Sequence, residues 1–175
     1  HSYLKKKDHL VVVDPMCGSG TFLWESIGFF HFTERSYAYE HSPLFKLVQQ
    51  TARPRFEKNL IQRIEGRDVN SELIQELKVQ WREVKSEQIW EAENVTSAHI
   101  HPEADLVLCN PPYDERLVLG MSYKELVDHL KRKYPNALIG VLVSSQKKNN
   151  EKLKINSKAK LSFSNSGIDV DFYLI

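Results

Sequence analysis

The sequence predicts an open α/β sandwich whose sheet is mostly parallel and ends in an antiparallel hairpin. Three observations lead there. Residues 10–13 (Leu-Val-Val-Val) are a continuous apolar, β-branched run that stops at Asp-Pro, and residues 104–109 form a similar run that stops at Asn110, as strands buried in a parallel sheet do. Between and after them, segments with apolar residues at helical spacing alternate with short strand-like segments, which implies right-handed crossovers. Near the C-terminus Asn165-Ser166-Gly167 separates two strand-like segments and suits a tight hairpin.

Residues 10–13 make the first strand, followed by a glycine-rich turn after which Thr21 caps a helix carrying Phe22, Leu23, Trp24 and Ile27. An aromatic packing segment runs on through Phe29, Phe30, Phe32, Tyr37 and Tyr39. Leu47, Val48, Phe56, Leu60 and Ile61 suggest a helix over residues 49–62, interrupted or started near Pro54, and then a short strand containing Ile64 before Gly66. Asn70 or Ser71 caps a clearer helix with Leu73, Ile74, Leu77, Trp81 and Val84 at helical spacing. A strand near residues 88–92 precedes a loop with His99, His101 and Pro102, and residues 104–109 are the next strand. Ser122 with Glu125 forms a capping box for a helix bearing Leu126, Val127 and Leu130, which stops at Pro135-Asn136. Residues 137–143 are a strand, and residues 160–164 and 168–175 are the hairpin.

At 175 residues the chain fits a single domain over residues 1–175 with one substantial core. Apolar residues are 41% and charged residues 27%, and no apolar run approaches the roughly 20 residues of a membrane-spanning helix. No signal peptide is recognisable, and Cys17 and Cys109 make no disulfide framework, so a cytoplasmic location is expected. The net charge of +1 does not exclude a polyanionic partner, which needs only a local basic surface. Lys147, Lys148, Lys152, Lys154, Lys158 and Lys160 crowd one segment that either meets phosphates or is a solvated loop.

In such sheets ligands bind beyond the carboxyl ends of the strands, where two motifs stand. In Cys17-Gly18-Ser19-Gly20-Thr21 the glycines permit close backbone approach, and the following helix offers unpaired N–H groups to an anionic group. Leu23 occupies the place of the third glycine of a dinucleotide fingerprint, and no Gly-Lys-Ser/Thr is present, which argues against nicotinamide, flavin and triphosphate enzymes. Asp14 either faces an ammonium or sulfonium group or simply forms the turn before Pro15. Asp68, at the end of the second strand, is placed to accept ribose hydroxyls, its bland alternative being a helix-start charge.

Asn110-Pro111-Pro112-Tyr113 is the sharpest element. Two prolines fix the backbone and leave the Asn110 side chain and the Pro111 carbonyl as rigid acceptors for the two hydrogens of a base amine, while Tyr113 offers a face for stacking. Accepting both hydrogens localises the nitrogen lone pair for attack on a methyl group. His99 and His101 lack a third ligand at a familiar spacing, so no metal site is expected. Trp24, Trp81 and Trp90 read as packing residues, and the two cysteines as buried rather than nucleophilic.

These residues resemble the RNA guanine-N2 methyltransferases related to the large-subunit ribosomal RNA enzymes that carry a THUMP domain. The resemblance rests on residues 14–23 (DPMCGSGTFL), 35–40 (RSYAYE), 66–70 (GRDVN), 110–117 (NPPYDERL) and the closing residues 165–175. It implies a class I, Rossmann-like fold and S-adenosylmethionine as cofactor, held by Asp14, Pro15, Cys17, Gly18, Gly20, Thr21, Asp68, Val69, Asn94 and Asn110. It further implies Asn110, Pro111 and Tyr113 at the target base, with ribosomal or transfer RNA as partner. Three positions depart from the family pattern. Asn94, beside Glu93, stands where the family has an acid for the adenine amine, Asp114 stands where a glycine is frequent, and Asn70 replaces the second acid of Gly-x-Asp-x-Asp. The RNA-binding THUMP region of relatives has no counterpart in the nine residues before the first strand. A DNA adenine-N6 methyltransferase and a non-catalytic binding module are the competing expectations.

Overall fold

The computed structural model describes residues 9–31, 61–96, 103–112, 121–145, 156–165 and 167–175. The aromatic segment 32–39, the helix expected over 49–60, His99, His101, Tyr113 and Lys147 to Lys154 lie outside them.

The elements in chain order are β1 (Leu10–Asp14), α1 (Thr21–His31), β2 (Ile61–Asp68), α2 (Ser71–Gln80) and β3 (Glu87–Ala92), then β4 (Leu106–Cys109), α3 (Tyr123–Lys133), β5 (Leu138–Ser144), β6 (Ala159–Asn165) and β7 (Ile168–Leu174). The strands form one seven-stranded sheet in the order β3-β2-β1-β4-β5-β7-β6. β1 pairs in parallel with β2 on one side and β4 on the other, with Asp14 beside Gly66 and Val13 beside Val107. β5 continues the parallel set, and β7 enters antiparallel beside it and carries β6 on its far edge. This is the open, mostly parallel sheet with a terminal antiparallel hairpin that the apolar runs predict.

β1 is buried along its whole length because it feeds both faces. Leu10 and Val12 join the apolar cluster of Leu23, Ile27, Ile74, Leu77, Trp81 and Trp90 beneath α1 and α2. Val11 and Val13 join that of Tyr123, Leu126, Val127 and Leu130 on α3. α2 is capped by Asn70, whose side chain accepts from the N–H groups of Glu72 and Leu73. α3 begins with the expected capping box of Ser122 and Glu125. It ends before Pro135, with Tyr134 as its C-cap.

Three expectations are corrected. Ile61 and Gln62 are not helical: they open β2, which runs through Gly66 to Asp68 rather than stopping short of the glycine. The glycine is there for contact, since a Cβ on it would lie 2.3 Å from Trp90 Cζ3. Thr21 is not the cap of α1 but its first residue, Gly20 supplying the carbonyl that accepts the Trp24 N–H at 2.9 Å. Ala104 and Asp105 precede β4, and Asp105 works from the side chain: its Oδ2 accepts the Val11 N–H at 2.9 Å and continues the ladder on β1.

On the α3 side, β2 is charged rather than apolar. Arg63, Glu65 and Arg67 alternate along it, and Glu65 and Arg67 are fully buried. Arg67 donates through Nε to Glu91 at 2.8 Å, through Nη1 to the Tyr134 hydroxyl at 3.3 Å and through Nη2 to Glu65 at 3.3 Å. Arg63 Nε closes on the other oxygen of Glu65 at 2.9 Å.

Candidate active site

Four turns follow β1 to β4 and enclose an open cleft of about 330 Å³ at the carboxyl edge of the sheet. Ligand pockets usually fall at roughly 300–1,000 Å³. Pro15, Met16 and Gly18 line it from the turn after β1, Asp68 and Val69 from the end of β2, Glu93, Asn94 and Val95 from the segment after β3, and Asn110 and Pro112 from the turn after β4. The two motifs meet here because β1 and β4 are neighbours, although α1, β2, α2 and β3 separate them in sequence.

The turn after β1 is built by its own side chains. Asp14 Oδ1 accepts the Met16 N–H at 3.1 Å, and the Gly20 N–H donates to the Cys17 carbonyl at 2.7 Å. Gly18 has φ +51°, and a Cβ there would meet nothing within 4 Å, so the backbone conformation rather than crowding calls for glycine. Gly20 faces inward, 3.0 Å from Leu77 Cδ2 to where a Cβ would stand. Asp68 stitches the turn to β2: its Oδ2 accepts the Gly18 N–H at 3.0 Å and its Oδ1 the Asn70 N–H at 2.9 Å. A carboxylate offers about four acceptor positions, so both oxygens retain capacity toward the cleft.

Asp14 itself is not on the cleft wall but buried beneath the turn. Burial pushes its carboxyl up to about 8, opposed by the Met16 hydrogen bond and reinforced by the charge of Asp68. The acid therefore holds more protons in the folded chain than in the unfolded one. Its contribution is complete below the unfolded carboxyl range near pH 4 and is lost as pH rises through about 8. Asp14→Asn keeps the acceptor for Met16 and has no charge to form. Thermal melts should show this variant gaining stability over the parent as pH rises from 5 to 8.5, and equal shifts at both pH values would refute the assignment.

Cys17 and Cys109 are buried, and burial, with Asp14 adding, pushes both thiols well above their usual range. Cys17 serves through its backbone, its N–H donating to the Arg67 carbonyl at 2.8 Å. Thr21 lies at the start of α1 with its hydroxyl 3.1 Å from that of Ser19. After β3, Asn94 Oδ1 accepts both the N–H and the hydroxyl of Thr96, at 3.0 and 2.9 Å, while the Glu93 N–H donates to the Asp68 carbonyl at 2.9 Å. In the β4 turn Asn110 is exposed, Pro111 buried and Pro112 exposed.

The cleft thus gathers Pro15, Gly18, Asp68, Val69, Asn94 and Asn110 of the expected site; Asp14, Cys17, Gly20, Thr21 and Pro111 adjoin its turns without lining it. Met16 and Val95 carry no assigned role in the sequence reading, and Pro112 only that of fixing the backbone. Each adjoins a residue of the expected site, and only the fold shows which neighbours turn toward the cavity. Among the described residues no cluster of His, Cys, Asp and Glu could hold a metal ion, and no helix is long and apolar enough to cross a membrane.

Residues 3–169 match the family model described as UPF0020, RMKL-like, methyltransferase domain. The chain belongs to this family. The RMKL-like methyltransferase domain is 28% identical over 180 residues to "Putative RNA methyltransferase slr0064" of Synechocystis, an alignment covering 91% of the chain and 45% of that protein. Among solved structures, "SMU.472, a putative methyltransferase complexed with SAH" matches 97% of the chain and 48% of its own length, with TM-score 0.62 and 21% identity. "A possible methylase from Clostridium difficile 630" matches 96% and 48%, with TM-score 0.63 and 22% identity. The chain therefore spans about half the length of these relatives. The fold is the Rossmann-like one of class I methyltransferases, whose cofactor is S-adenosylmethionine.

The residues present fit that molecule, which carries an ammonium, a sulfonium, a ribose diol and an adenine. The cleft supplies the carboxylates of Asp68 and Glu93 with Asp14 beneath, a bare backbone at Gly18, and an apolar surface at Val69, 59% exposed.

Proposed function

We propose that this chain is the catalytic domain of an RNA methyltransferase that methylates the exocyclic N2 of guanine, in ribosomal RNA, in the cytoplasm. One observation supports the reading above the others: Asn110 of the Asn-Pro-Pro turn and the carboxylate of Asp68 line the same cleft. A group that suits a base amine and groups that suit the cofactor share one cavity. The RNA assignment follows the relative from Synechocystis and the motifs at 14–23 and 110–117.

In this reading Gly18 and the turn above Asp14 receive the charged amino-acid end of the cofactor, and Asp68 receives the ribose hydroxyls. Val69 and Val95 bracket the adenine. Asn94 spends its carbonyl oxygen on Thr96, so Glu93 is the acceptor for the adenine amine. S-adenosylmethionine supplies a methyl group on a positively charged sulfur.

The chain's own contribution to the transfer is positioning. Asn110 and the Pro111 carbonyl accept the two amine hydrogens of the base, hold the nitrogen in place and free its lone pair from conjugation with the ring. Tyr113 stacks on the base, an interaction worth about 1–3 kcal/mol in single-strand binders. No general base is required, because the proton leaves to water after the methyl has moved. The reading is tested with tritiated S-adenosylmethionine and RNA from cells lacking the gene. Label should appear in ribosomal RNA and map to guanine N2, and label confined to adenine in DNA would refute it.

A further inference from the structure

Helix α3 lies on one face of the sheet, yet it touches two of the cleft turns: the one that leads into it from β4 and the one after β3, 34 residues away from His129. At its start the Tyr123 hydroxyl donates to the Pro112 carbonyl at 3.5 Å. Near its end His129 Nε2 lies 3.0 Å from the Val95 carbonyl oxygen, and Lys133 Nζ lies 3.3 Å from the same oxygen. His129 and Lys133 are four apart and therefore share one stripe of the helix. Between them they take both lone pairs of one carbonyl. Since the partner can only accept, the proton of His129 sits on Nε2.

Lys133 is 5% exposed, and its buried ammonium is held by the Val95 carbonyl and by the nearby charges of Glu93, Glu91 and Glu65. The carbonyl it reaches belongs to a residue of the cleft wall. The remainder of that wall is fixed as well. Glu93 is tied to Asp68 through its N–H, the Asn94 side chain closes a turn on Thr96, and the Val95 side chain is buried in the α3 cluster. The carbonyl of Val95 is thus the point at which α3 holds the segment from outside the cleft.

We propose that His129 and Lys133 are positioning residues that clamp the Val95 carbonyl and thereby set the wall against which the adenosine half of the cofactor rests. The inference depends on the cofactor placement given above. Neither side chain touches the ligand, so both act on affinity through the segment 93–95.

The test is calorimetric titration of the 175-residue protein with S-adenosylmethionine, alongside thermal melts. His129→Ala should weaken binding about fivefold, the scale of one neutral hydrogen bond. Lys133→Met should weaken it about tenfold, since a charged donor is lost. His129→Gln, which restores an N–H donor, should return to within about twofold of the parent. The melting temperature of both His129 variants should stay close to that of the parent, because His129 is only partly buried. Unchanged affinity in His129→Ala and Lys133→Met would overturn the clamp while leaving the cofactor reading intact. So would a loss in His129→Ala that follows the melting temperature and is not recovered by Gln. A parent protein that fails to bind at millimolar cofactor would overturn the cofactor reading itself, and the clamp with it.

Discussion

Asn110→Ala is expected to cut methyl transfer by about 10²–10³ in kcat, the usual loss when one preorganised polar contact to a developing charge is removed. Affinity for S-adenosylmethionine should change only a few-fold. The split follows from the geometry: Asn110 stands exposed after β4, whereas the groups assigned to ribose and adenine come from β2 and β3. Asn110→Asp retains an acceptor for the amine and should keep more activity than Asn110→Ala. Single-turnover rates with saturating cofactor separate the effects. An alanine variant retaining more than about a tenth of the parental rate would show that Asn110 does not hold the reacting amine.

The second large effect is on stability. Arg67→Met should cost about 3–5 kcal/mol, because it takes a cationic neighbour from the fully buried Glu65 and a hydrogen-bond donor from the Tyr134 hydroxyl. For a chain of this length that lowers the melting temperature by roughly 6–20 °C. Removing both members of the buried pair, in Arg67→Met with Glu65→Leu, should restore much of the loss, since neither charge of the pair is then left in the interior without the other. A double variant no more stable than the single would indicate that the cost lies in packing rather than in charge.

This same network explains why β2 was only half legible. Arg63, Glu65 and Arg67 carry the strand alternation in charges instead of apolar residues, and Gly66 looks like a terminator. Tertiary pairing overrides both signals, with Ile61 beside Leu10 at one end and Trp90 filling the space over Gly66. The strands buried on both faces, β1, β4 and β5, were plain from their β-branched runs, and the caps at Asn70 and Ser122 follow from side-chain chemistry that acts within a few residues. The site was legible to the extent that it is local. Residues 14–20 and 110–112 announce themselves as turns, and Asp68 by its place after a strand. Nothing near His129 or Lys133 in sequence marks them, since the carbonyl they reach is 34 and 38 residues away.

The order of the last two strands bears on how the chain assembles during synthesis. β6 is made before β7, but among the described residues its one neighbour in the sheet is β7, which in turn docks on β5. Until β7 leaves the ribosome, β5 therefore presents a row of backbone N–H and C=O groups without the partners β7 supplies, and β6 lacks the strand it pairs with. The β5 edge of the sheet therefore closes only after β7 is made, and a chain terminated between residues 145 and 168 would carry the cleft elements with that edge unpaired. Such truncated chains are the ones that chaperones and proteases would have to clear.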